Sequence, residues 1–353
     1  MTATVLANEL TALLSEAKRK NADLKSAADK SLQELRSIPN TSEQQLATDL
    51  SRRPGFIEPF LISCETKQAR FASSGIACLQ RLVVTKGLPR TRLKDTLDAF
   101  NACADLGLDI QLKVLQALPS LLQNYSDDLK DGLLAGALQL CALLQSAKAQ
   151  TVSGVAAATL QQLVSAVFEK VVDEDREGTK LAATNEVPGD GKPVLLRPAA
   201  FDAYRMFRDL VLAAEERPTK FVRLTSLSPE SSLELIWSAL SANARLFVAH
   251  PELSGVIRAN LLPAITRPLS EKMAFPVTVR ALRVMDLLLS RYFGRFPGEF
   301  EVALGLLTNG LDQDPTTPWK RALAMEIIRN FFVNGSIVDA YVAYDQAIGG
   351  KAI

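Results

Sequence analysis

Apolar residues recur at intervals of three and four along most of the chain, the signature of helices that bury one face. Leu6, Leu10, Leu13, Leu14 and Ala17 share one such face, and Leu24, Ala28, Leu32 and Leu35 continue it. Pro39 and the polar stretch to Ser51 are expected to close that unit. A second run over 55–86 divides into two helices near Lys67, and Gly87 followed by Pro89 ends it in the order expected after a helix C-terminus. Helices are then predicted over 90–104, 108–123, 129–145 and 151–172. The second of these turns Leu112, Leu115, Leu118 and Leu122 inward, and Pro119 is expected to bend it.

The texture then changes. Asp173–Glu177 is a charged run, and residues 186–198 hold three prolines and two glycines with little apolar periodicity. An exposed linker loop over 176–197 is predicted there, between helical domains of residues 1–175 and 198–353. Beyond it, Phe201, Tyr204, Phe207, Leu210 and Val211 line one face of a helix. Ser228 caps the next helix, with Pro229 in its first turn and Glu230 at its positive end. Further helices are predicted over 251–268, 275–296, 297–311, 318–332 and 336–346, and no segment predicts a strand. Helix pairs about 40 residues apart give the expected fold class: an all-α, armadillo/HEAT-like helical-repeat solenoid, elongated. Val167, Phe168 and Val171 before the linker, and Phe201, Tyr204 and Phe207 after it, are expected to pack on one another.

Composition supports helices and narrows the chemistry. Leu and Ala dominate, and aromatic residues are only 6% of the 353. With 40 basic and 39 acidic residues, no bulk attraction to nucleic acid is expected. Cys64, Cys78, Cys103 and Cys141 form no CxxC pair, and His250 is the single histidine, so no metal or organic cofactor is called for. The cysteines sit in apolar runs and read as reduced core thiols, which fits a cytoplasmic setting. No basic segment leads into an apolar one at the start, and no uncharged apolar stretch of bilayer length is apparent. Gly189-Asp190-Gly191-Lys192 lacks the spacing of a phosphate-cradling loop, and His250 is expected to sit at the surface or cap a helix. The chain is not expected to be an enzyme.

Arg280, Arg283, Arg291 and Arg295 fall within an arc of roughly 120° on one helix, opposite Leu288, Leu289, Tyr292 and Phe296. This basic stripe is either a solvated face or a contact for an acidic membrane surface or acidic partner.

Several segments taken in order resemble a known family. Ile62–Val83 (ISCETKQARFASSGIACLQRLV), Asp109–Leu122 (DIQLKVLQALPSLL) and Ala156–Glu169 (AAATLQQLVSAVFE) resemble the DCB domain of the large Arf guanine-nucleotide exchange factors. Ala203–Val211, Ser232–Leu253 (SLELIWSALSANARLFVAHPEL), Phe275–Leu289 (FPVTVRALRVMDLLL) and Pro318–Ile328 resemble the HUS domain that follows it. The catalytic members carry a HUS box of the form Asn-Tyr/Phe-Asp-Cys. Here the stretch reads Ala343-Tyr344-Asp345-Gln346, matching only at Tyr344 and Asp345, which favours a branch lacking the exchange domain. The resemblance implies a peripheral scaffold on Golgi and endosome membranes, recruited by an Arf-family or Arf-like small GTPase, capable of self-association and partnered by a Dopey-type protein and a flippase. It implies a GTPase contact on helices of the first half; charge beside apolar periodicity points to those of Ile76–Val83 and Asp109–Leu122, where Gln80, Arg81, Lys113 and Gln116 are the expected contact residues, with Gln80, Arg81 and Lys113 exposed beside a core of Leu79, Leu112 and Leu115. Two alternatives stay open: the regulatory region of a catalytic exchange factor, and an unrelated helical-repeat adaptor. Residues 347–353 read as the beginning of a further segment.

Overall fold

The computed structural model describes residues 2–17, 21–39, 42–178, 182–271, 273–312 and 317–350. These residues are almost wholly helical and form two compact units, Met1–Leu163 and Val164–Ile353. Each is a helical-repeat array of the armadillo/HEAT type, as the periodicity predicted.

The first unit contains α1 (Ala3–Glu16), α2 (Ala22–Ser37), α3 (Glu43–Ser51), α4 (Glu58–Glu65), α5 (Ala69–Val84), α6 (Leu93–Ala102), α7 (Leu108–Asn124), α8 (Asp131–Gln145) and the first turns of α9 (Gln150–Glu177). They stack in two layers. In one, α1 packs on α5 and α5 on α7; in the other, α2 packs on α4, α4 on α6 and α6 on α8. The pairs α1–α2 and α4–α5 join the layers. Helices within the layers reach two or more neighbours, so their apolar faces are broad: α5 buries nine of its sixteen residues, among them Phe71, Ile76, Leu79 and Leu82.

The α4–α5 crossing is close because of Gly75. A Cβ there would stand 2.7 Å from the Phe60 carbonyl oxygen and 3.0 Å from Ser63 Cβ. The two helices divide at Lys67, as expected; its φ of 52° turns the chain between them. After α5, Lys86 takes φ 60° and the Gly87 N–H reaches back to the Leu82 carbonyl at 2.8 Å, a Schellman closure. Buried Tyr125 exchanges hydrogen bonds with the backbone N–H and carbonyl of Leu88, both 3.1 Å, and holds the following loop.

Helix α3 is a departure from the sequence reading, which ended the unit in a polar stretch. Only Leu46, Ala47 and Leu50 point inward, too few for a periodic signal, yet Ser42 caps it by accepting from Gln45 N at 3.2 Å. The inward face of α7 is also rotated from the expected one. Ile110, Val114, Leu118 and Leu121 are buried whereas Leu112 and Leu122 are half-buried, and α7 continues past Pro119 to Asn124. Helix α9 is long and apolar enough to cross a membrane by length and composition, which the sequence reading did not anticipate. Its buried residues, Val152, Ala156, Leu160, Leu163, Val167 and Val171, recur at core-helix spacing, with Gln161 and Gln162 exposed between them.

The second unit holds the last turns of α9, strands β1 (Asn185–Pro188) and β2 (Pro193–Leu196), α10 (Pro198–Ala214), α11 (Pro229–Ala242), α12 (Ala244–Ala249), α13 (Pro251–Val256), α14 (Leu262–Ser270), α15 (Phe275–Tyr292), α16 (Pro297–Asp312), α17 (Pro318–Val333) and α18 (Gly335–Ala347). One layer runs α10, α11, α15, α17; the other runs α13, α14, α16. Phe168 of α9, Phe207 of α10 and Phe247 of α12 meet with ring centroids 4.8–6.5 Å apart, so the residues flanking the predicted linker do pack on one another. The helix capped by Ser228 ends before Asn243, after which α12 begins, and the predicted helix 251–268 contains a π-turn over Ile257–Leu261.

The predicted exposed loop of 176–197 needs the largest correction; its residues 179–181 lie outside the described ones. Residues 185–196 form an antiparallel hairpin pairing Asn185 with Leu196 and Pro188 with Pro193. Val187 and Leu196 are buried. At its tip, Asp190 N–H donates to the Pro251 carbonyl at 2.8 Å, and the Asp190 carboxylate, 4% exposed, pairs with Arg258 and with Arg295 at 2.7 Å. Arg258 also pairs with Glu299 at 2.6 Å. Gly255 lets the tip settle on α13: a Cβ there would be 3.1 Å from the Gly189 carbonyl carbon. An acid between two arginines, not a periodic apolar face, fixes this segment, which is why hydrophobic patterning missed it.

Two outcomes check this packing. Gly75→Ala should lower stability by about 1–3 kcal/mol, read by urea denaturation, because α4 and α5 must separate; an unchanged midpoint would show that the crossing is looser. Asp190→Ala leaves Arg258 and Arg295 without their shared anion and should speed amide exchange across 185–196 roughly tenfold or more, with the helices little changed.

Candidate interaction surfaces

The four residues expected at a GTPase contact are brought together along α5 and α7, the most extensively packed helix pair of the first unit. Gln80 Nε2 donates to Gln116 Oε1 at 3.1 Å, and Lys113 Nζ donates to Ser73 Oγ at 2.9 Å. Arg81 reaches the third helix of this layer, pairing with Glu9 of α1 at 3.2 Å. The expectation that Gln80, Arg81 and Lys113 are freely exposed is corrected: they are half-buried and bridge helices, because α5 is central and its edges face neighbours on both sides. Gln116 is exposed. Leu79 and Leu115 are core, as expected. Leu108 (44% exposed) and Val84 (51%) stand at opposite ends of this pair, so the ridge presents apolar side chains at its ends and polar rungs between.

The basic stripe is a seam. Arg283 pairs with Glu234 of α11 at 3.2 Å and lies 3.8 Å over the Trp237 ring, while Arg280 stands 3.7 Å from the same carboxylate. Arg291 donates to the Ser241 carbonyl at 2.7 Å, and Arg295 holds Asp190. The arc runs beside α11 and the hairpin: its charges have intradomain partners, while Arg283 and Arg291 remain exposed to solvent. Leu288, Leu289, Tyr292 and Phe296 are buried on the opposite side, as expected. Tyr292 also closes α11 by donating to the Leu240 carbonyl at 2.8 Å.

Tyr344 and Asp345 lie on α18. The Tyr344 hydroxyl donates to Glu301 at 2.8 Å, and that carboxylate raises the phenol above its ordinary value. The Asp345 carbonyl accepts from Gly350 N at 2.8 Å and ends the helix. Around this hairpin of helices, Val302, Met325, Phe332 and Val333 are exposed.

A cluster that sequence reading missed lies at the end of α9. The Glu174 carboxylate accepts from Ala199 N and Ala200 N, both 3.2 Å, and so caps α10 from a distant segment. Asp175 accepts from His250 Nε2 at 2.9 Å, and buried Glu252 lies 2.7 Å from His250 Nδ1. His250 stands at the N-cap position of α13, as expected of a capping residue, and its ring bridges two acids. The hydrogen bond to Glu252, then that to Asp175, outweigh burial and push its pKa up to about 9. The signal in the sequence was the acidic run Asp173–Glu177 itself, which read as solvated.

Asp209 is a second hidden acid. Fully buried, it accepts from the backbone N–H of Lys220, Phe221 and Val222 at 2.6–3.2 Å and holds the loop after α10. Arg205 lies 4.1 and 4.0 Å over Phe201 and Phe221 beside it.

Comparison with known proteins accounts for the order of these elements. The model of the Mon2/Sec7/BIG1-like dimerisation and cyclophilin-binding (DCB) domain matches residues 2–175, and that of the Mon2/Sec7/BIG1-like HUS domain matches 199–353. The chain is 30% identical over 349 residues to the Protein MON2 homolog of Schizosaccharomyces pombe, covering 99% of this chain and 20% of that protein. It is 29% identical over 354 residues to Protein MON2 of Saccharomyces cerevisiae, covering 96% and 21%. It is 28% identical over 363 residues to the human Protein MON2 homolog, with the same coverage of 96% and 21%. The chain spans about a fifth of the length of the curated relatives it matches.

The His250 bridge has a pH signature. Its pKa is about 9 when folded and about 6.5 in an unfolded chain. Its contribution is thus complete below the unfolded value and is lost as pH rises through the folded one. His250→Gln should lower stability by about 1–3 kcal/mol near pH 6, where Glu252 loses its cation. The gap between the two proteins should narrow as pH is raised to about 9.5; melting curves with a constant gap would contradict the ion pairing.

Proposed function

The chain belongs to the Mon2/Sec7/BIG1-like family, carrying its DCB and HUS domains in order, and from that premise we propose that it is a scaffold of Golgi and endosome trafficking that docks a GTP-state Arf-family or Arf-like GTPase on the α5–α7 ridge. The supporting observation is the polar ladder Gln80–Gln116, Lys113–Ser73 and Arg81–Glu9 laid along that ridge. A GTP-state GTPase offers an apolar switch surface rimmed with charge. Exposed aliphatic residues at the ridge ends, with positioned amides and cations between, suit such a surface.

The remaining features fit recruitment, not turnover. The first matched domain is a dimerisation and cyclophilin-binding domain by description. A DCB domain described as a dimerisation domain favours self-association, and a Dopey-type protein is a further proposed partner. Peripheral attachment to an acidic membrane surface is ascribed to the GTPase, with the basic stripe Arg280, Arg283, Arg291 and Arg295, paired within its own unit yet still partly exposed, as a second contact.

Capture of purified chain on GTP-loaded Arf and Arf-like GTPases tests the reading, and silence from the whole panel would end it. Arg81→Gln with Lys113→Gln keeps hydrogen-bonding capacity and removes two charges. The Arg81–Glu9 pair is open to solvent, with Arg81 40% exposed, so removing it costs little stability; the double variant should lose under about 1 kcal/mol. Binding to the responsive GTPase should fall roughly tenfold or more. Normal binding by a folded double variant would move the contact elsewhere.

A further inference from the structure

Two of the four cysteines meet in the first unit. Cys64 lies in the last turn of α4, and Cys103 follows the last residue of α6. The Cys103 thiol donates to the Cys64 carbonyl oxygen at 3.9 Å, and the two cysteine side chains adjoin. Cys78 and Cys141 are buried in other settings, the first beside Glu9 and Arg81 and the second within an apolar helix.

The pair is itself fully buried, like the other two cysteines, but a cleft opens beside it. The turn after α6 forms one wall of a cleft of about 480 Å³, lined by Lys67, Asn101, Ala102, Ala104 and Asp105 among others. Ala102 and Ala104 flank Cys103 in the chain, and Lys67 follows the Cys64 turn, where its N–H donates to the Cys64 carbonyl at 3.1 Å. A small oxidant in the cleft thus meets the chain neighbours of Cys103, whose own sulfur is reached only when the turn after α6 opens locally.

We propose that Cys64 and Cys103 are a redox modification site, closing to a reversible disulfide when the chain meets a hydroperoxide and tying the end of α4 to the end of α6. Cys103 is the attacking sulfur. The adjoining Cys64 side chain is the main influence that holds its thiol below the ordinary value, and Lys67 acts in the same direction. The Cys64 thiol is pushed up by the adjoining Cys103 side chain and by burial, and burial pushes up Cys78 to about 12 and also raises Cys141. The Cys103 thiolate takes one peroxide oxygen, the O–O bond breaks, and the departing oxygen leaves as water with a proton, giving a sulfenic acid. The Cys64 sulfur then attacks the sulfenic sulfur, the S–O bond breaks, and the second water carries off the Cys64 proton. Two thiols lose two electrons and the peroxide gains them. Helices α4 and α5 pack together, so the bond anchors the layer behind the α5–α7 ridge.

The intact chain, treated with graded hydrogen peroxide and blocked with N-ethylmaleimide, is mapped without reduction. A peptide joining Cys64 to Cys103 is expected, with both thiols lost together at least about tenfold faster than Cys78 and Cys141. The oxidised chain should melt about 5–10 °C higher, because the bond closes a long loop in the unfolded state, and dithiothreitol should reverse the shift. In Cys64→Ser, Cys103 should stop at a sulfenic acid that dimedone traps; in Cys103→Ser, Cys64 should stay reduced. Circular dichroism checks both variants, and if either misfolds the wild-type map decides. Oxidation of Cys78 or Cys141 at the same rate, Cys103 driven to sulfinic acid without a cross-link, or both thiols still free at high peroxide would each overturn the proposal.

Discussion

No helix in this chain can bury its apolar face alone. Each must lay it on the pair beside it, and that constraint sets the two-layer stacking of both units. It also decides which helices are apolar on more than one side. Helix α5 lies between α1 and α7, and α15 lies between α11 and α17, so both bury most of their residues. Helix α17 is different: it buries Ala324, Ile327 and Phe331 and leaves Met325, Phe332 and Val333 exposed. Exposed apolar side chains on α16 to α18 are thus the complement of the rule that fills the interior.

Stacking helices leaves their ends to be satisfied, and here buried polar side chains do that work. Tyr125 closes the loop after α5, Tyr292 closes α11, Asp209 gathers three backbone N–H groups, and Glu174 caps α10. An isolated buried carboxylate would be costly. Asp209 is tolerable because backbone donors surround it, and Asp190 because two guanidiniums do. Such groups contribute less to net stability than to uniqueness of arrangement, since each fits only one placement of its loop.

Legibility followed from this division of labour. Long helices with broad apolar faces were readable, down to the split at Lys67 and the cap at Ser228. What patterning missed was held by polar contacts or by few apolar residues. Helix α3 has three inward residues, and the 185–196 hairpin is fixed by one aspartate. The acidic run Asp173–Glu177 looked like solvated linker because sequence does not show that His250 and the start of α10 fold back onto it. The same blindness affected the candidate surfaces. Arg81, Lys113 and the α15 arginines were picked for charge beside apolar periodicity, a pattern that marks helix edges without saying whether a neighbouring helix occupies them.

That distinction bears on how the ridge can bind. A flexible lysine or glutamine on an open face must give up rotamer freedom on contact, on the order of 1 kcal/mol for each side chain. Gln80, Gln116 and Lys113 have already given up part of it, because they hold one another or Ser73 in the free protein. A partner that accepts from the remaining donors gains a positioned edge at a reduced entropic cost. One that has to break the Gln80–Gln116 bond loses an existing interaction and must replace it. The ladder therefore favours partners whose polar rim matches its spacing, so discrimination at this surface would come from fit to a preset edge more than from net charge, which over the whole chain is only +1.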